Sequence, residues 1–212
     1  MASIINASTT STSGLVQTAD ASGVLQLQSN GVTGLTVENT ANVTVNTNLF
    51  VSGSEVEPLV LRTAQATTSG TAIEFAGIPS WIKRITVSFN ATSLSGTSDI
   101  LVQLGTSSGI VSTGYVASSL GQSSTPTSSL STSTSGFIIR CASNSSAIYG
   151  LMFITLMDTN TFTSSHSGRQ ASNSIIIGGG SVTLPGILTQ LRITTANGTD
   201  TFDAGSVNIM YE

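Results

Sequence analysis

Between residues 23 and 53 the apolar side chains come in pairs two positions apart: Leu25 with Leu27, Leu35 with Val37, Val43 with Val45, Leu49 with Val51. Polar stretches rich in Asn, Gly, Ser and Thr separate the pairs. A spacing of two places both members on one face of an extended chain, so each pair predicts a three-residue strand with one apolar face. From about residue 69 the pattern lengthens. "WIKRITVSF" alternates Ile85, Val87 and Phe89 against Arg84, Thr86 and Ser88; "DILVQLG" puts Ile100, Val102 and Leu104 on one side. "GFIIRCA" does the same for Phe137, Ile139 and Cys141, "LTQLRITT" for Leu191 and Ile193, and "SVNIMYE" for Val207, Ile209 and Tyr211. Half-buried strands joined by turn-rich connections predict a sandwich or jelly roll. No amphipathic helix is expected.

Other stretches read differently. "IYGLMFITLM" (148–157) is apolar on both faces. Either it is a central strand covered on both sides, or its outer face meets another subunit. The Ser/Thr-rich stretch 117–136 and the stretch 158–173, which carries the only His, are expected as polar loops. The "GGG" at 178–180 lacks the Lys-Ser/Thr of a phosphate cradle and reads as a turn.

Composition narrows the class. Charged residues make up 8% of the 212, and Ser with Thr fill roughly a third of the chain, a low charge for a soluble domain. With 39% hydrophobic residues a core can form, and Thr, Val and Ile suit pleated sheets. The net charge is −4, with no basic run, so no nucleic-acid partner is expected. No stretch of 18 apolar residues occurs, so no membrane insertion is expected. The N-terminal residues lack a basic, apolar leader, so no signal peptide is expected. Cys141 is alone, excluding an intrachain disulfide; it reads as a small buried hydrophobe.

Candidate chemistry is sparse. His166 is the sole His, with Asp158 and Arg169 sharing its stretch. A Ser–His–Asp reading is always available in so Ser-rich a chain and carries little weight, and His166 reads as a solvated loop residue. No catalytic site, no cofactor and no metal is expected. Trp81 follows Pro79 and precedes a strong strand, so it reads as an anchor rather than a sugar platform. Tyr115, in a Gly-rich stretch, is expected exposed; with Asp158, His166 and Arg169 it forms the candidate receptor-contact set.

The paired segment cannot stand alone, because eight apolar side chains are too few to offset the ordering of some thirty residues. Three copies around an axis change that balance, each chain supplying core to the others. The eight paired residues are therefore the expected trimer interface.

Three stretches carry a resemblance. "MASIINASTTSTSGLVQTADASGVLQLQSNG" resembles the openings of short phage structural proteins. "ANVTVNTNLFVSGS" is similar to the strand motif of tail-fibre and spike shafts. "IEFAGIPSWIKRITVSFNATSLSGTSDILVQLG" looks like a β-domain of phage fibre-type proteins. The resemblance implies a homotrimeric, non-enzymatic virion protein exposed on the particle, a tail fibre displaying a host-receptor-binding domain or, alternatively, a head fibre or capsid decoration protein. Its expected fold is all-β: a short intertwined trimeric β-prism or spiral followed by a jelly-roll-like antiparallel sandwich. Residues 1–22 are expected as a flexible or docking segment towards other virion proteins, 23–57 as the stalk and 58–212 as the sandwich. Outward loops of the sandwich are expected to contact host glycans or proteins.

Overall fold

The computed structural model describes residues 22, 24–29, 32–40, 42–45, 49–51, 54–123, 128–140, 146–170 and 173–212. The expected docking segment, apart from Ser22, and Cys141 lie outside the described residues. The fold is all-β with antiparallel sheets, and the chain divides into two compact units, Met1–Val56 and Glu57–Glu212.

In the first unit, β1 (Leu25–Ser29), β2 (Val32–Val37) and β3 (Val43–Val45) form an antiparallel meander. A separate hairpin joins β4 (Phe50–Val51) to β5 (Ser54–Glu55). β1 and β2 are longer than the three-residue strands expected, and β2 pairs with both β1 and β3. Polar residues on either side of each apolar pair extend the ladder because the backbone pairs regardless of side chain.

The second unit holds β6 (Val60–Leu61), β7 (Gln65–Ala66), β8 (Ala72–Ala76), β9 (Arg84–Leu94), β10 (Ile100–Thr106), β11 (Gly109–Ile110) and β12 (Val116–Ser123). It continues with β13 (Ser128–Ser133), β14 (Phe137–Ile139), β15 (Ile148–Asp158), β16 (Thr161–Gln170), β17 (Ser174–Thr183), β18 (Gln190–Thr195) and β19 (Phe202–Tyr211). A nine-stranded sheet runs β13-β12-β17-β16-β15-β9-β19-β6, with β7 also on β19. A five-stranded sheet runs β11-β10-β18-β8, with β14 also on β10. One buried cluster takes side chains from both sheets, including Ile85, Val87, Met152 and Ile209 from the larger and Ile100, Leu104, Phe137 and Ile193 from the smaller. The two sheets therefore pack face to face, as period-two alternation requires.

Two expected loops are strands. Residues 158–173 contain all of β16, and 117–136 contain all but the first residue of the β12–β13 hairpin, of which 124–127 lie outside the described residues. Apart from Ala117 and Phe162, their inward positions are Ser, Gly, His and Gln rather than Val or Ile, so the alternation leaves little hydrophobic signature. The "GGG" at 178–180 is not a turn but the middle of β17. A Cβ on Gly178 would lie 2.3 Å from the Ser118 carbonyl oxygen, and one on Gly180 2.5 Å from that of Val116. Close approach of neighbouring backbone, not turn geometry, demands glycine there.

Candidate interaction surfaces

The meander register explains the pairs of the first unit. Leu25 stands opposite Val37, and Val37 opposite Val43; Leu27 stands opposite Leu35, and Leu35 opposite Val45. Since residues two apart share a face, these six side chains form two parallel apolar rows on one side of the sheet. Among the described residues nothing covers this face: Leu25, Leu27 and Val43 are 41%, 46% and 60% exposed, and Leu35, Val37 and Val45 are half-buried. Leu49 and Val51 are also exposed.

A second uncovered face belongs to the nine-stranded sheet. In β15 the inward residues Ile148, Met152 and Ile154 are buried, whereas Tyr149, Leu151, Phe153 and Met157 are exposed. Among the described residues nothing covers the outer side of 148–157. Cross-strand register continues the surface from Leu151 through Ser167 and Ile177 to Leu120 and Leu130, and from Tyr149 through Arg169 to Ile175. Ile175, Ile177 and Leu130 are 55%, 49% and 66% exposed. The run "SIII" was the available signal for this face, because three consecutive Ile in one strand must place some outward. Beside it an open groove of about 770 Å³ reaches the outward positions Val116, Ser118, Thr132, Gly179 and Ser181.

The structure does not assemble the four receptor-contact candidates into one site. Tyr115 is buried rather than exposed: its hydroxyl oxygen accepts the Leu104 N–H at 2.7 Å, and its ring meets Phe137 edge-on at 5.1 Å. The alternation that begins at β12 places Tyr115, Ala117 and Ser119 inward, and burial pushes the hydroxyl pKa up to about 12. His166 is not a solvated loop residue. It points inward from β16, 6% exposed, with Nε2 2.9 Å from Ser119 Oγ, which also accepts the Arg140 N–H at 3.0 Å. Opposite it stands Gly178, where a Cβ would lie 2.4 Å from His166 Cε1. Desolvation lowers the imidazole pKa to about 4, so the ring is neutral near pH 7. Asp158 and Arg169 are exposed, but stand at opposite ends of the β15–β16 hairpin. Asp158 pairs with Thr161, and the eight residues from there to Arg169 span roughly 26 Å of strand. Asp158 Oδ1 accepts the Thr159 N–H at 2.7 Å, which is turn capping.

Trp81 is half-buried against the core and meets Tyr211 edge-on at 5.8 Å, an anchoring position. Among the described residues no three His, Cys, Asp or Glu side chains group closely enough to hold a metal ion. Comparison with protein-family models, curated proteins and solved structures finds no match. Among the described residues, the site-bearing features are thus two apolar sheet faces without a cover, one in each unit.

Proposed function

We propose that this chain is a structural virion protein that forms a homotrimeric fibre or spike on a phage particle, presenting its second unit outward. The observation that carries the proposal is the pair of apolar rows on β1–β3. Each chain builds a complete hydrogen-bonded sheet yet leaves one apolar side in water. Three such sheets facing a common axis make a three-walled β-prism whose core is the six-residue faces, with Leu25, Leu27, Leu35, Val37, Val43 and Val45 from each chain. Leu49 and Val51 extend the interface along the chain. The low charge and the resemblance of the N-terminal and shaft-like stretches to phage structural proteins support the same reading, and no catalytic role is assigned.

The finer fold we propose for the second unit is a jelly roll. The path β8-β18-β10-β14 in one sheet, with β9, β15–β17, β12 and β13 in the other, supports it. Chain order alternates between the sheets as a jelly roll requires, with a three-stranded meander in place of one strand. Light scattering on the purified chain tests the assembly: trimers are expected, and a stable folded monomer would overturn the reading.

A further inference from the structure

We infer that the outer face of the nine-stranded sheet is a second interface between copies of this chain, packed against the neighbouring domain around the same three-fold axis. The inference rests on the trimeric reading above but on a different surface, in the other unit. Tyr149, Leu151, Phe153, Ile175, Ile177 and Leu130 are between 40% and 66% exposed. Half-exposed side chains of this size leave on the order of 500 Å² of apolar surface in water. That lies near the top of the range for the largest patch a monomer leaves exposed, about 300–600 Å². Interfaces are roughly 60% apolar, so 500 Å² of apolar surface corresponds to a contact of about 800 Å² per partner, the size of a standard stable interface.

Charge selects the occupant. Of the outward side chains along β12, β13, β16 and β17, Arg169 alone is charged, and the remainder are hydroxyl, amide, glycine or aliphatic. A surface so nearly neutral has no means of choosing a charged partner, and its apolar side chains suit an exposed apolar patch on a second copy. Copies joined through the first unit also hold their second units at millimolar effective concentration, so a modest affinity between domains is satisfied within the trimer.

Closed three-fold contacts are heterologous, so this face meets a different patch on the next copy. Leu59 and Leu61, 60% and 69% exposed, lie at and beside the β6 edge, the opposite edge of the same sheet from β13. The open groove over Ser118, Thr132 and Gly179, which Tyr115 and Val116 also line, has room for such side chains. The ring thus formed sets the leucine edge of one domain against the groove and ridge of the next.

Sedimentation velocity on the full chain, over a concentration series, tests this with two double variants. Leu151→Lys/Ile177→Lys places charge on the face. Leu151→Ser/Ile177→Thr removes apolar surface while keeping residues that a solvent-facing strand tolerates, and it decides the question if the lysine variant fails to fold. The expected result is a wild-type trimer and folded variants that dissociate at concentrations at least roughly tenfold higher, with the undissociated trimers sedimenting more slowly because their domains splay. A wild-type trimer with variants unchanged in midpoint and sedimentation overturns this interface and leaves the first-unit trimer standing. A folded wild-type monomer overturns both. Wild-type dimers or hexamers that the variants abolish overturn the three-fold placement, since they mean that the face pairs with itself.

Discussion

Replacing Leu35 and Val37 by Ser removes the middle of both apolar rows, because β2 is the central strand and each of these residues has an apolar neighbour on either side. Both are half-buried in one chain, so closing the prism covers only the remaining half. Burying half of a Leu or Val is worth about 1 kcal/mol, half of the ~1.5–3 kcal/mol for full burial. Two residues in each of three chains make on the order of 6 kcal/mol per trimer. At ~1.4 kcal/mol per factor of ten, the trimer dissociation constant rises roughly ten-thousandfold. That constant scales with concentration squared, so the half-dissociation concentration rises by about its square root, roughly 100-fold. Mass photometry or sedimentation across nanomolar to micromolar concentrations reads the shift. Far-UV circular dichroism and urea unfolding should show the second unit unchanged, because its core is its own. A variant with the wild-type midpoint within a few-fold would refute the reasoning, and so would loss of the second unit's fold.

Three further outcomes follow from the buried side chains. Gly178→Ala should destabilise the second unit by about 1–3 kcal/mol, because the new Cβ meets the Ser118 carbonyl and the His166 ring, neither of which can withdraw without moving a strand; a urea midpoint equal to wild type contradicts this. Tyr115→Phe should cost about 1–3 kcal/mol by leaving the buried Leu104 N–H without an acceptor, lowering the thermal midpoint by about 2–4 °C for each kcal/mol. His166 binds its proton only near pH 4 when folded but near 6.5 when unfolded. The unfolded state therefore gains protons first as pH falls. Stability is full above about pH 6.5 and declines towards pH 4, by at most about 3 kcal/mol. Urea midpoints at neutral and acid pH, compared between wild type and His166→Asn, isolate this contribution; equal pH dependence in the two removes it.

Strands whose inward positions are Ile, Val, Leu or Phe could be read directly: the residues named for β9, β10, β18 and β19 are all buried. β16 could not, since after Phe162 its inward positions are Ser164, His166, Gly168 and Gln170, which copy the composition of a loop. The same blindness made His166 and Tyr115 look like surface residues. For His166 the deciding fact is cross-strand: Gly178 makes room for the ring and Ser119 supplies its partner, two residues far away in the chain. The apolar pairs of the first unit were visible, but their use was only half legible. Spacing two apart fixes a shared face, whereas the register that aligns Leu25, Val37 and Val43 depends on turns around positions such as Glu38 and Asn42, which spacing does not encode.

Both uncovered faces lead to one quantity, the number of chains in the particle that the protein forms in solution. Static light scattering on the wild-type chain across a concentration series measures it most directly. A plateau at three chains of 21.6 kDa each is the predicted result. A single-chain mass persisting at the highest soluble concentration, with the second unit folded, would contradict the account.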